Sequence, residues 1–329
     1  MRTQTTFSSS QQEVAPKPFL QSSAAESTRP GVAAQRHLDL KTISVLTDLG
    51  DDSEKPLRYA ASLARWYGSK LLIAHMSPRD VYSYTWPQPF PAWPAGVLPL
   101  KENPEERIGS LISKAGVEDV SHEVIVNESS IGNLLKDVES RHPDLLILAT
   151  HGREGIRKLL VGSISEEVFR RAKRPVLILG PHTPQQDAAP VAFRNLLCAI
   201  DLSAESANAL HYAAALAENH HAQLTVLHVE TGAMDTFDPV TILRKLHDYV
   251  CSHVPAEVGA LAKINYTARL GLPEDKILEL AKEHRTDLIV VGARGLGAAA
   301  GFASHFVGGT AYEVATRSDC PVLIVPRPS

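Results

Sequence analysis

Short apolar runs rich in Leu, Ile and Val alternate along this chain with segments whose apolar residues recur every three or four positions. The first pattern is that of a strand buried on both faces, the second that of a helix burying one face. Strands are predicted near 42–47, 70–76, 121–126, 144–149 and 175–179, and again near 195–200, 222–229, 262–269, 286–291 and 321–325. Strands spaced by helical segments pair in parallel through right-handed crossovers, giving an open α/β sheet with helices on both faces. In the first helix Leu57, Ala60, Ala61, Ala64 and Tyr67 share one face, Ser53 stands at the N-cap and Gly68 at the stop. Leu210, Ala213, Ala214 and Ala217 repeat that stripe, and both sets are read as core positions without a functional role.

The alternation is itself duplicated. Asp144-Leu-Leu-Ile-Leu-Ala-Thr-His-Gly152 is echoed by Asp287-Leu-Ile-Val-Val-Gly-Ala-Arg-Gly295, and Arg174-Pro-Val-Leu-Ile-Leu179 by Cys320-Pro-Val-Leu-Ile-Val325. Asp48 and Asp201 are 153 residues apart, as are His75 and His228, whereas Asp144 and Asp287 are 143 apart and Pro175 and Pro321 are 146 apart. The first copy therefore has ten more residues between its second and fourth strands, and the second has three more between its last two. Duplication of this length predicts two homologous domains. The expected organisation is a disordered tail over 1–40, domains over 41–180 and 194–329, and a polar, proline-broken linker over 181–193. The extra residues of the first copy fall in the aromatic segment Val81–Pro94, whose prolines exclude a regular helix or central strand. That segment is either a cover over the sheet edge or a lid or partner surface over a cleft.

Ligands of open parallel sheets lie at the carboxyl ends of the strands, where strand order reverses. Ala149-Thr-His-Gly152, nine intervening residues and then Gly162-Ser163 fit that place. Gly152 and Gly162 allow an anion close to the backbone, amides after Gly162 point at it, and the Ser163 hydroxyl can donate. Arg153, Arg157 and Lys158 lie between the glycines and can offset phosphate charge. The same residues also suit a tight strand-to-helix turn and a solvated helix face.

With these motifs the sequence resembles the universal stress protein family in its tandem form, over roughly residues 40 to 327. Nucleotide-binding members carry Gly, two residues, Gly, nine residues, then Gly with Ser or Thr after the fourth strand; here Ala149 replaces the first Gly. The resemblance implies two Rossmann-like, adenine nucleotide alpha hydrolase-like domains, each with a five-stranded parallel open sheet. It also implies that Asp48 and Met76 flank adenine and ribose, that Leu148, Ala149, His151 and Gly152 line the sugar and phosphates, and that Gly162, Ser163 and Ile164 close over the phosphate tail. ATP, with or without Mg, is the expected ligand. Like domains of the family pair through their last strands, so Val176–Leu179 and Val322–Val325 should meet with Ile178 and Ile324 both buried, covering an edge open to aggregation; a homodimer is a further expectation. Gly50 stands where the family often has a serine, which the second copy keeps as Ser203. In the second copy twelve residues separate Gly295 from Gly308, Gly309 takes the hydroxyl position, and 296–304 holds no Lys or Arg, so that pocket is read as degenerate.

Net charge of -4 and 21% charged residues give no electrostatic reason to seek nucleic acid or an anionic membrane. No apolar stretch is long enough for a membrane span or signal segment, and the chain is read as cytoplasmic. Cys198, Cys251 and Cys320 lack CxxC spacing and read as reduced core or near-core thiols. Neither GxSxG nor GxxxxGK[ST] occurs, and the fourteen histidines show no HExxH or other metal spacing. No catalytic or metal residue is assigned; slow ATP hydrolysis is the most that is expected. His75 and His228 read as structural, His220-His221 as a solvated helix end, and His151 as the histidine to test. Two readings stand: a nucleotide-binding regulator that signals to a protein partner, and an interaction scaffold that has lost its ligand.

Overall fold

The first copy supplies β1 (Thr42–Thr47), β2 (Lys70–Met76), β3 (His122–Asn127), β4 (Leu145–Ala149) and β5 (Val176–Leu179). The second supplies β6 (Asn195–Ala199), β7 (Gln223–Glu230), β8 (Lys263–Leu270), β9 (Leu288–Gly292) and β10 (Val322–Val325). The computed structural model describes residues 38–50, 53–76, 103–150, 168, 172–185, 191–255, 263–293 and 309–327. All ten strands fall within two residues of their predicted places. The helices are α1 (Glu54–Tyr67), α2 (Pro104–Ala115), α3 (Ile131–Glu139), α4 (Ala204–His220), α5 (Pro239–His253), α6 (Pro273–Glu283) and α7 (Gly309–Arg317).

The two five-stranded parallel sheets merge into one ten-stranded sheet of order β3-β2-β1-β4-β5-β10-β9-β6-β7-β8. Only the central pair is antiparallel: β5 and β10 meet with Val322 opposite Ile178 and Ile324 opposite Val176. Ile178 is fully buried and Ile324 is 3% exposed, as expected of a seam between last strands. Burying each such side chain contributes about 1.5–3 kcal/mol. The two copies accordingly belong to one compact unit, Ala34–Ser329.

Side chains alternate between the faces of the sheet. Ile43, Val45, Leu71, Ile73, Leu196 and Leu224 pack under α1, α2, α4 and α5. Leu46, Leu72, Leu146, Ile178, Leu197 and Ile324 pack under α3, α6 and α7. Asp144 and Asp287 pin the amino ends of the inner strands. Asp144 accepts from the amides of Lys41 and Thr42 at 2.8 and 3.0 Å, and Asp287 from those of Arg194 and Asn195 at 2.7 and 2.9 Å. These repeated aspartates are structural, each at the amino end of its own copy's strands.

Three expectations are corrected. Ser53 stands at the N-cap of α1 but its φ of -68° and ψ of -17° are already helical, and it makes no capping bond; its hydroxyl donates instead to Asp48. Gly68 does end the helix, with φ +70°. Cys198 and Cys320 are buried, whereas Cys251 is exposed on α5. His220 is not solvated. It is 6% exposed, stacks on Trp66 with ring centroids 4.8 Å apart, and meets Phe193 and Tyr67 edge-on. Its Nε2 lies 2.9 Å from the Tyr67 hydroxyl. Burial, and then the neighbouring His221, hold its pKa down at about 4, so the ring is neutral near pH 7. A neutral ring that accepts the Tyr67 proton at Nε2 carries its own on Nδ1, which is buried without a partner. Tyr67 and His220 are 153 residues apart, the spacing of equivalent positions in the two copies, so they meet across the pseudo-twofold axis.

Candidate functional site

In the first copy β1 lies between β2 and β4, so strand order reverses beside β1, and the carboxyl ends of β1 and β4 form the crevice where such sheets bind ligands. Asp48 follows β1 into that crevice. It is exposed, and its Oδ1 accepts from the Gly50 amide at 2.9 Å and the Ser53 hydroxyl at 3.1 Å. Leu49 bends the turn with φ +57°, donating its amide to the Thr47 hydroxyl at 3.0 Å. A Cβ at Gly50 would come 3.2 Å from Asp48 Oδ1, a tight approach to the folded-back carboxylate.

Two side chains brace this turn. The His75 Nδ1 lies 2.9 Å from the Thr47 carbonyl, which makes it the donor. Burial lowers the His75 pKa against the opposing pull of that carbonyl and of Asp48, while Arg107 adds to the lowering. Arg107, from α2, donates to the Leu49 carbonyl at 2.6 Å. Lys55 extends its ammonium to the carbonyls of Gly180 and Pro181 at 3.3 and 3.5 Å, just past β5. Arg107 and Lys55 thus bring cations to this end of the sheet. Neither was singled out in the sequence, because their helical positions carry no motif.

Of the sequence-predicted residues, Asp48, Met76 and Ala149 stand together at the carboxyl ends of β1, β2 and β4, with Met76 and Ala149 partly buried. Leu148 is 2% exposed and packs in the core on the α3 side of the sheet, so its contribution there is backbone only. His151, Gly152, Arg153, Gly162, Ser163 and Ile164 lie outside the described residues, as do Arg157, Lys158 and the aromatic segment Val81–Pro94. Thr150, which the sequence reading passed over, is 7% exposed; its hydroxyl is buried with no hydrogen-bond partner, although its amide donates to Leu179 at 3.0 Å. Buried hydroxyls are normally satisfied, so an orphan at a crevice invites a ligand atom or water.

The second copy repeats the geometry with other chemistry. Leu202 bends the turn with φ +61°, and His228 reaches the Ile200 carbonyl at 3.0 Å, matching Leu49 and His75. Asp201, however, is held by Ser203 through both its amide at 3.1 Å and its hydroxyl at 2.5 Å. Ser203 in turn caps α4 through the Ser206 amide at 3.2 Å, and Tyr249 donates to its carbonyl at 2.6 Å. Where the first copy has Lys55 and Thr150, the second has Asn208 and Ala293. Gly295 and Gly308 lie outside the described residues, and Gly309 begins α7.

Among the described residues no group of three or more His, Cys, Asp or Glu is placed to hold a metal ion, and no helix is long and apolar enough to cross a membrane. A groove of about 510 Å³ between α6 and α7 is lined by Asp275, Lys282, Arg285, Arg317 and Cys320. It opens at the amino ends of β9 and β10, which the antiparallel β5–β10 pairing sets beside Gly180 at the carboxyl end of β5.

A model of the universal stress protein family matches the chain twice, over residues 39–180 and 192–326. Universal stress protein YxiE of Bacillus subtilis is 33% identical over 151 residues, an alignment covering 40% of this chain and 99% of that protein. The crystal structure of a universal stress protein from Archaeoglobus fulgidus superposes with a TM-score of 0.60 at 20% identity, covering 89% of this chain and 98% of that one, which shows a shared fold. A universal stress protein solved in complex with cAMP is 28% identical over 41% of this chain and 98% of its own, at a TM-score of 0.33. Two matched copies, joined through their last strands into one sheet, make this chain a member of the universal stress protein family in tandem form.

Proposed function

We propose that the protein is a regulator that binds an adenine nucleotide, ATP with or without magnesium, in the first of two domains, 41–180 and 194–329, while the second domain holds a degenerate pocket. The observation that carries this reading is the asymmetry of the two crevices. The first offers an exposed carboxylate at Asp48 for sugar hydroxyls, an unpartnered hydroxyl at Thr150, and cations at Arg107 and Lys55. The second also holds its carboxylate by one amide and one hydroxyl, but Asp201 is only partly exposed, a phenol braces the turn, and Asn208 and Ala293 stand where the first copy has Lys55 and Thr150. The sequence adds Gly152, nine residues and Gly162-Ser163 to the first crevice, with Arg153, Arg157 and Lys158 between them. Main-chain amides and cations together are what a polyphosphate needs. In this reading Met76 packs against the base, Ala149, His151 and Gly152 line the sugar and phosphates, and Ser163 and Ile164 close the tail. No catalytic residue is assigned, and the output is recognition of a protein partner.

Mass spectrometry of small molecules that co-purify with the full chain tests the proposal beside a Gly162→Val variant. A nucleotide present in the wild type and lost in the variant is the expected result. MgATP at a hundred times its dissociation constant should stabilise the wild type by about 2.7 kcal/mol, read as a thermal shift. Arg107→Gln should weaken that binding while the matching Tyr249→Phe leaves it unchanged. No shift at millimolar MgATP would turn the assignment toward an interaction scaffold without a ligand.

A further inference from the structure

We propose that Lys55 is a latch that signals a polyphosphate in the first crevice to the second domain, by leaving the Gly180 carbonyl for the ligand. The latch rests on the nucleotide reading of that crevice. Lys55 and Asn208 hold equivalent places, 153 residues apart, as do Gly180 and Pro326, 146 apart. Each side chain ties its helix to the carbonyl just past the last strand of its own copy. The bonds differ in strength. Asn208 donates to Pro326 at 2.7 Å, whereas the Lys55 ammonium stands 3.3 and 3.5 Å from the carbonyls of Gly180 and Pro181.

Lys55 also stands in the first turn of α1, at the positive end of the helix dipole, which disfavours a cation. It is two residues from Ser53, whose hydroxyl touches Asp48. A phosphate oxygen offers a full negative charge where a carbonyl offers a dipole, so the ammonium favours phosphate over its present partners.

Gly180 is the joint between the domains. Its carbonyl also accepts from the Thr183 amide at 3.1 Å, closing a turn. A Cβ at Gly180 would come 2.9 Å from the Ala315 carbonyl and 3.5 Å from that of Ser318, so the turn is seated on the end of α7. Thr183 is 3% exposed and its hydroxyl has no hydrogen-bond partner, which leaves the seat one bond short of satisfied. Ser318 and Cys320 line the groove between α6 and α7. The Ser318 hydroxyl accepts from the Cys320 amide at 3.1 Å and lies 3.4 Å from its sulfur. Release of Gly180 loosens this end of α7 and uncovers Cys320.

The test follows the Cys320 thiol in the full chain carrying Cys251→Ser, which removes the exposed cysteine. Burial pushes the Cys320 thiol up to about 11, so it reacts slowly with an aromatic disulfide until uncovered. Saturating MgATP should speed its labelling about fivefold, the factor that one hydrogen bond's net contribution gives. Lys55→Ala should show the fast rate without nucleotide. Lys55→Asn, which installs the second domain's brace, should show the slow rate with nucleotide or without. Cys198, fully buried in β6, should stay unlabelled throughout, and its labelling together with Cys320 would mean general unfolding and overturn the latch. Lys55→Ala labelled at the resting rate overturns it with no nucleotide present. A thermal shift with MgATP but no change in labelling overturns the latch alone, whereas no thermal shift overturns the nucleotide reading with it.

Discussion

Asp48 and Asp201 occupy equivalent places after β1 and β6, each followed by a leucine in the left-handed region and each braced by a histidine bonded to the strand-end carbonyl. They part at the next position. Ser203 satisfies Asp201 and caps α4, so the helix starts three residues after the aspartate. Gly50 cannot do this, and α1 starts six residues after Asp48, with Ser53 lending its hydroxyl from the helix entrance. The brace from the crossover helix is the cation Arg107 in one copy and the phenol Tyr249 in the other. A single fold thus holds one turn tied directly to its helix through Ser203 and another braced by groups further along the chain, Ser53 and Arg107. Repetition of backbone geometry does not carry repetition of chemistry.

The largest effects should show where the copies are equal. Ile178→Ala and Ile324→Ala remove matched side chains from the β5–β10 seam, and each should cost about 3 kcal/mol in urea unfolding. A large loss in one variant and none in the other would mean that the seam leans on one copy. Next come Asp144→Ala and Asp287→Ala, each stripping an acceptor from two amides, for about 2 kcal/mol apiece.

Acid should then expose the contact where the copies meet. The His220 pKa is about 4 when folded against an ordinary 6.5, so the fold favours the neutral ring. Stabilisation from this source is complete above pH 6.5 and is lost as pH falls from 6.5 toward 4. A melting-temperature profile should slope downward over that window, and His220→Phe should flatten the slope; an unchanged slope would place the acid sensitivity elsewhere. The smallest effects should separate the two turns. Ser203→Ala loses a helix cap and should cost about 1 kcal/mol. Ser53→Ala loses one bond to an exposed carboxylate that water can replace, for about 0.5 kcal/mol. Equal costs would erase the distinction between the turns.

The strands were legible because a strand buried on both faces must be apolar throughout, and Leu145–Ala149 and Leu288–Val291 say so without any knowledge of neighbours. Gly68 was legible as a stop because its left-handed backbone is a local demand. Ser53 misled, since an N-cap residue type does not fix the torsions that capping requires. Arg107 and Thr150 left no signal that a motif search recognises. Their meaning comes from what lies across the turn or the crevice.

By itself the sequence determined the two-copy plan, the ten strands and the placing of Asp48, Met76 and Ala149 at strand ends, because period, composition and repetition are properties of the chain. Only the tertiary structure decided that β5 and β10 would join antiparallel with Val322 opposite Ile178, and that Asp144 would be spent on strand amides. It also turned His220, a polar residue at a helix end, into a buried neutral ring against Tyr67. Those outcomes depend on which surfaces meet, and desolvation acts on a side chain only once something distant in sequence has covered it.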